Sequence, residues 1–262
     1  MNKKYVSHDL SILSAAILLT GCSGLFSGVY DEPEPDGDVA TEAGTLYIDA
    51  SSWTEWHYID LPKVASKNGP GYNPSEAWET YNIPTQAVEE KEGKRGIYTY
   101  WFDVFGQGIG KSELRGFMPT AGQAEPQSWT FAVHRNNVRT NGCRVAETQL
   151  EDIRNIRLSS SDIDALEFEA DSWSENEVWT IQSQMLSGII GCQGLEINRK
   201  LSGWLAVEIP PMPPSFSLRP RIFILELADG TYGALRLKDY RSAGGTACCL
   251  TIEYEYPLEI TQ

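Results

Sequence analysis

Two methionines, Met185 and Met212, are the side chains of this sequence whose surroundings suggest chemistry. Met185 lies in Q-S-Q-M-L-S-G, a polar setting typical of a turn, and Met212 lies in P-P-M-P-P. Four prolines restrict the backbone and remove hydrogen-bond donors, so they present the Met212 side chain from a stiff loop. A thioether is a soft metal ligand. The alternative is that both side chains are flexible core fillers, which is the commoner use of methionine.

Strands and turns must position these two side chains. The sequence has eight Trp, twelve Tyr and eight Phe, with glycine and proline spread throughout, and this mixture favours strands over helices. We therefore predict a single all-β domain over residues 44–262 with few or no helices. Its length is enough for a hydrophobic core of its own.

Individual segments predict the order of the strands. Alternation and turn chemistry indicate an edge strand at Thr45, strands over Ser51–Leu61 and Trp129–Gly142, a central strand over Ile97–Phe105, a hairpin over Arg221–Tyr240 that turns at Asp229-Gly230, and a half-buried strand over Leu250–Tyr256. Residues 63–95 show no clean period and predict a long surface excursion. Residues 145–154 favour a short helix, and Leu166–Ala170 favours a strand.

The start of the chain predicts the compartment. Lys3 and Lys4 precede a short apolar run, Leu10–Leu19, and L-T-G-C ends at Cys22. Residues 1–21 therefore read as a signal peptide, too short to span a bilayer, and the cysteine resembles that of a bacterial lipobox. We expect lipidation at Cys22, with residues 22–43 as an acidic, flexible tether. The alternative is an ordinary signal peptide cleaved at another small residue.

The charge of the chain argues against nucleic acid as a partner. The formal net charge is −15, and removal of Lys3, Lys4 and Asp9 with the signal peptide gives −15 − (+1) = −16. Such a surface repels phosphate backbones.

No G-x-S-x-G or H-E-x-x-H motif is present, and Gly106, Gly108 and Gly110 are not followed by a phosphate-binding helix pattern. We therefore predict that the protein is not an enzyme.

Cysteine and histidine offer few other sites. After Cys22 come Cys143, Cys192, Cys248 and Cys249, and the predicted disulfide joins Cys192 to Cys248 or Cys249, although spacing does not define the pairing. The vicinal pair lacks a C-x-x-C partner, so packing is its expected role. His57 and His134 are the histidines beyond the signal peptide, and we interpret both as hydrogen-bonded structural residues.

Three stretches carry a family resemblance. W-T-F-A-V-H-R-N-N-V-R-T-N-G from Trp129, M-P-P-S-F-S-L-R-P-R-I-F-I-L-E-L-A-D-G-T-Y-G-A-L-R-L-K-D-Y from Met212, and T-I-E-Y-E-Y-P from Thr251 resemble the HmuY family of haem-binding surface lipoproteins, or haemophores, of the Bacteroidota. The similarity covers most of Gly44 to Pro257 in the same order. Lys63 to Glu125 matches least well.

The resemblance implies a largely all-β fold that holds haem near its surface, with the iron ligated by two histidines or two methionines from loops in the C-terminal half. The second ligand of the histidine type would fall on Ile209, which cannot ligate iron. The methionine type would use Met212, with Met185 as its natural partner. The resemblance thus implies haem as the ligand and Met185 and Met212 as the axial ligands of its iron.

The same resemblance implies a location and partners. We expect a lipid-anchored protein of the outer membrane, exposed at the cell surface, that passes haem to a TonB-dependent outer-membrane receptor. Basic host haem-carrier proteins would suit the acidic surface. The main rival is a surface glycan-binding or adhesive β module without haem, because exposed Trp and Tyr side chains also form carbohydrate platforms.

Overall fold

The computed structural model describes residues 43–67, 78–89, 97–100, 113–181, 189–208 and 214–262. These residues form mostly β-strands with three short helices, so the predicted all-β class is confirmed. No helix in the described ranges is both long enough and apolar enough to cross a membrane.

The strands in chain order are β1 (Thr45–Asp49), β2 (Glu55–Ile59), β3 (Trp78–Asn82), β4 (Ile97–Tyr100), β5 (Phe117–Pro119), β6 (Phe131–His134), β7 (Asn137–Thr140), β8 (Arg144–Glu147), β9 (Leu158–Ser159), β10 (Ser172–Ser174), β11 (Trp179–Ile181), β12 (Gly191–Gln193), β13 (Leu195–Ile197), β14 (Leu205–Glu208), β15 (Ser215–Leu218), β16 (Phe223–Glu226), β17 (Tyr232–Arg241), β18 (Ala247–Glu255) and β19 (Ile260–Thr261). The helices are α1 (Leu61–Ser66), α2 (Ser160–Asp164) and α3 (Arg199–Ser202).

Each short helix begins at a side-chain cap. Asp60 accepts a hydrogen bond from the Lys63 amide at 3.0 Å, and Asn198 accepts one from the Leu201 amide at 2.9 Å. Ser159 caps α2 in a reciprocal capping box with its third helical residue. These contacts satisfy amides that have no partner inside the helix. Short polar signals therefore suffice to start a single turn between strands.

The largest sheet is antiparallel, in the order β1-β18-β17-β16-β8. The predicted edge strand at Thr45 and the predicted hairpin at Asp229-Gly230 are both confirmed. In β18, Glu253 lies on the polar face yet is only 6% exposed, because Arg236 and Lys238 of β17 pair with its carboxylate. The predicted half-buried strand is confirmed in β18, where Thr251 is half-buried and Glu255 is exposed, and Glu253 is the exception on its polar face.

Two four-stranded sheets, β3-β2-β6-β7 and β11-β12-β4-β5, share a second core. Trp56 and Tyr58 of β2 pack there with Tyr98 of β4 and Ile197 of β13. The Trp56 indole donates a 2.9 Å hydrogen bond to the Gln193 side chain of β12. This core and the hydrogen bond therefore hold β12 against β2.

Three local predictions need correction. Residues 63–95 do not form an excursion throughout, because Trp78–Asn82 pairs with β2 as an edge strand and α1 occupies Leu61–Ser66. The helix favoured over residues 145–154 is wrong at its start, since Arg144–Glu147 pairs with β16. The strand predicted to run from Trp129 to Gly142 is a hairpin of β6 and β7. Strand partners distant in sequence decided the first two outcomes.

Candidate functional site

The two candidate methionines belong to segments that connect paired strands. β11 pairs with β12 antiparallel, with Ile181 opposite Gly191, and the chain between them includes Met185. β14 pairs with β15, with Glu208 opposite Ser215, and the chain between them includes Met212. Met185, Met212 and Ile209 lie outside the described residues. The strand ends that flank them are described, and these ends define the candidate site.

One apolar cluster joins the ends of both hairpins. Trp179 of β11, Cys192 of β12 and the adjacent Ile190 form a buried group, and Val207 of β14 packs against it. Val207 stands one residue before Glu208, after which the described part of β14 ends. The strand ends that lead to Met185 and to Met212 therefore meet in one hydrophobic cluster, although their sheets are separate.

A stack of two tryptophans and one arginine borders this cluster. Trp53, which follows β1, lies parallel to Trp179, with 6.1 Å between ring centroids and 15° between ring planes. The Cζ of Arg135 lies 3.9 Å from the centroid of the Trp53 ring, a cation–π contact. The Arg135 guanidinium also donates to the Ser51 carbonyl. The cluster is thus apolar at its centre and carries one cation at its border.

His134 is fully buried behind the cluster. Its Nδ1 lies 2.9 Å from the Glu55 carbonyl oxygen, and its Nε2 lies 2.9 Å from the Trp179 carbonyl oxygen. Burial lowers the pKa of His134 to about 4, while the two carbonyls act in the opposite direction. A neutral imidazole donates from only one of these nitrogens, and that hydrogen bond to a backbone carbonyl confirms the interpretation of His134 as a hydrogen-bonded structural histidine.

His57 also lies within the fold. Its Nδ1 is 3.1 Å from the Thr80 hydroxyl oxygen, and the residue is 7% exposed. Burial lowers its pKa below the ordinary value. Its Nε2 has no hydrogen-bond partner among the described residues. His57 therefore has a structural contact on one side of the ring, as predicted, and one nitrogen without a protein partner in the described ranges.

The predicted disulfide is wrong. Cys143, Cys192, Cys248 and Cys249 are buried, and none of them forms a disulfide. Cys192 belongs to β12 of a four-stranded sheet, where its thiol contacts the Asn176 carbonyl at 3.5 Å, whereas the vicinal pair belongs to β18 of the five-stranded sheet. Burial raises the pKa of Cys143 and of Cys192 to about 12. The described ranges contain no group of three or more His, Cys, Asp or Glu side chains arranged to hold a metal ion.

Trp53, Arg135 and Val207 did not stand out in the sequence as site residues. Trp53 occurs in an ordinary strand-like segment, and Val207 is one of many apolar strand residues. Arg135 falls in the H-R-N-N stretch, whose local pattern indicates a strand and a turn rather than a binding site. The left-handed backbone at Arg135, with φ of +53°, depends on the hairpin turn and has no signature in an arginine.

Solved structures with the same architecture come from Bacteroidota. A protein named as an HmuY-like heme binding protein from Bacteroides vulgatus is 28% identical, with a TM-score of 0.56 over 86% of this chain and 97% of that one. A protein named as a lipoprotein from Bacteroides fragilis is 25% identical, with a TM-score of 0.57 over 86% and 94%. The apo HmuY analog of Tannerella forsythia, at 16% identity, has a TM-score of 0.57 over 82% and 95% and supports the fold alone.

Among curated proteins, none matches this chain. The family described as HmuY protein matches residues 52–254. That range includes the β6–β7 hairpin, the apolar cluster and both methionine segments, and it takes in most of the chain. This protein therefore belongs to the HmuY family.

Proposed function

We propose that this protein binds haem non-covalently, with the iron held between the thioethers of Met185 and Met212. Family membership and the name of the Bacteroides vulgatus relative support haem as the ligand. The choice of the two methionines is supported by the strand ends that flank them. The protein would act as a haemophore that captures haem and passes it on.

The observation that carries the proposal is the packing of Val207 against the cluster formed by Trp179, Ile190 and Cys192. Met185 is four positions beyond Ile181, and Met212 is four positions beyond Glu208. Four residues reach at most about 14 Å from a strand end. Because the two flanking strand ends share one cluster, this reach would allow both thioethers to contact a single ligand the size of a porphyrin.

The chemistry of the surroundings suits such a ligand. Binding sites for small molecules are lined mostly by apolar and aromatic side chains, with a few polar groups that orient the ligand. Trp179 and Ile190 form a buried apolar base for the proposed site, and the half-buried Trp53 packs against it. A thioether is soft and neutral, so it favours ferrous iron and releases no proton when it binds.

Location and partners form part of the proposal. Lipidation at Cys22 would anchor the protein to the outer membrane by its lipid, with residues 22–43 as a tether. Delivery would be to a TonB-dependent outer-membrane receptor, and host haem-carrier proteins would be donors. The acidic surface suits basic regions on such partners.

The rival glycan-binding function is less well supported. A carbohydrate platform needs aromatic faces open to solvent. Every Trp and Tyr whose side chain falls in the described part of the chain is buried or half-buried, and Phe117, at 45% exposure, is the most exposed aromatic residue there. Haem binding therefore accounts better for the arrangement of aromatics around Trp179.

An absorbance titration with haem tests the proposal, first in the ferric state and then after reduction with dithionite. Wild-type protein should give a saturable low-spin ferrous spectrum, and Met185→Ala or Met212→Ala should each abolish it. Met118→Ala is the matched control, because Met118 is a half-buried methionine of β5 that packs in the core around Trp56. That variant should keep the wild-type spectrum.

Affinity measured at two pH values separates the ligand types. Binding through thioethers should change little between pH 7 and 5.5, whereas imidazole ligands lose affinity as they gain protons. If wild-type protein gives only the spectrum of free haem, the proposed function fails. If haem binds and neither methionine substitution matters, haem binding stands and the two ligands are wrong.

A further inference from the structure

Arg135 is a partly buried cation at the border of the apolar cluster. Its guanidinium carbon lies over Trp53, 3.9 Å from the ring centroid, and the guanidinium donates to the Ser51 carbonyl. Burial lowers the pKa of Arg135. A guanidinium has five N–H donors in a planar fork that matches a carboxylate. The Ser51 carbonyl leaves most of those donors available.

Arg135 differs from the other half-buried arginines because it lacks a carboxylate partner among the described residues. Four described arginines are half-buried, and three of them pair with a glutamate: Arg139 with Glu125 at 2.7 Å, Arg221 with Glu151 at 3.0 Å, and Arg236 with Glu253 at 2.7 Å. Arg135 has no carboxylate partner in the described part of the chain. The protein has 36 acidic and 21 basic side chains, so a half-buried arginine without an acid is not explained by a shortage of acids.

The backbone conformation of Arg135 is a second unusual feature of this residue. The chain turns there from β6 to β7, with His134 opposite Asn137, and Arg135 has φ of +53°. A residue with a side chain rarely adopts this left-handed conformation, and such strain concentrates at functional positions. A glycine or asparagine would suit the turn better. Arg135 therefore occupies this turn at a conformational cost, and its side chain lies over Trp53.

We infer that Arg135 binds a carboxylate of the ligand, and that it makes the site selective for a porphyrin with free propionates. This inference rests on the proposed function, since haem carries two propionates on one edge of its ring. The net charge of the protein opposes an anionic ligand, so a local cation is needed where the propionate approaches. Arg135 meets that need beside the tryptophans that border the proposed site.

Paired titrations with haem and with haem dimethyl ester, in the same detergent buffer, test the inference. The ester keeps the iron and the ring but lacks the negative charges. Wild-type protein should prefer haem by about tenfold, the worth of one charge-assisted hydrogen-bonded pair. Arg135→Gln should remove this preference, so that haem and its ester bind with equal affinity. Arg135→Lys should retain part of the preference, since it keeps the charge.

Arg144→Gln is the matched control. Arg144 also lies over an aromatic ring, Phe168 at 5.5 Å, but it pairs with Glu226 and stands at the far edge of the five-stranded sheet. This variant should keep the wild-type preference. An unchanged preference in Arg135→Gln, or equal binding of haem and ester by the wild type, would overturn the inference. Failure of the wild type to bind either porphyrin would instead overturn the proposed function.

Discussion

Acidification should destabilise this protein through His134. The buried imidazole has a pKa of about 4 in the folded chain against an ordinary value of 6.5. The unfolded chain therefore takes up a proton between pH 6.5 and pH 4 while the folded chain does not. Stability rises with pH wherever the unfolded state binds more protons. The contribution of His134 is present above pH 6.5 and is lost as the pH falls toward 4.

The magnitude follows from the two pKa values. Their difference corresponds to about 3 kcal/mol in the free energy of unfolding once the pH is below both. Between pH 7 and pH 5 the loss is about 2 kcal/mol, because the folded chain is still nearly unprotonated at pH 5. Carboxylates with lowered pKa values, such as that of Asp49, titrate mainly below this window. Histidines should therefore dominate the change.

Urea unfolding at pH 7, 6 and 5 measures this dependence. In wild-type protein the free energy of unfolding should fall by about 2 kcal/mol over this range, with a constant denaturant slope. His134→Gln should be less stable at pH 7, since it loses the buried ring that packs against Trp56, and its stability should depend much less on pH. His57→Gln is the control and should keep most of the wild-type decline.

An increase in the free energy of unfolding on acidification would refute this reasoning. Two carbonyl acceptors facing both nitrogens favour the charged imidazolium, which donates at each nitrogen. If those contacts outweighed burial, the folded pKa would exceed 6.5 and the protein would become more stable from pH 7 to pH 5. A His134 ring resonance in NMR that titrates above pH 6.5 would refute it equally.

Two further predictions concern packing and thiols. Gly233→Ala should lower the free energy of unfolding by about 1–3 kcal/mol, because an added Cβ would lie 2.9 Å from Leu61 Cδ2 and 3.3 Å from Tyr256 Cδ2. Gly122→Ala is the control and should be nearly neutral, because an added Cβ there would have no atom within 4 Å. Equal losses of stability in the two variants would contradict the packing argument. A thiol reagent should label the four buried cysteines only after denaturation and without reductant. If reductant were needed to label any of them, the free-thiol assignment would fail.

Local patterns predicted the parts of the fold that depend on neighbouring residues. The Asp229-Gly230 turn forms a hairpin because its residues suit the tight backbone, and β16 and β17 are adjacent in the chain. Segments with distant partners were harder to predict. Arg144–Glu147 carries a helix-like pattern and forms a strand because β16, far along the sequence, pairs with it. The strand at Trp78–Asn82 likewise depends on β2 as its partner.

Some residues of the candidate site could be selected from the sequence, and others could be found only from their tertiary contacts. Met185 and Met212 were selected on their immediate surroundings and on family resemblance, and as ligands they stay predictions. Trp53, Arg135 and Val207 could not be selected, because their roles arise from contact with Trp179 and its neighbours. The disulfide prediction failed for the same reason, since the separation of β12 from β18 is a property of sheet order.

The amino-acid sequence by itself determined the family, the all-β class, the turns and the unusual methionine segments, because these features follow from composition and from residues close together in the chain. Tertiary structure decided which strand ends meet. Val207 and Trp179 share a cluster, and Arg135 lies over Trp53, because strands from separate sheets bury their apolar faces together. Burial of that kind depends on the whole fold, so the surroundings of the proposed haem site could be read only from the structure.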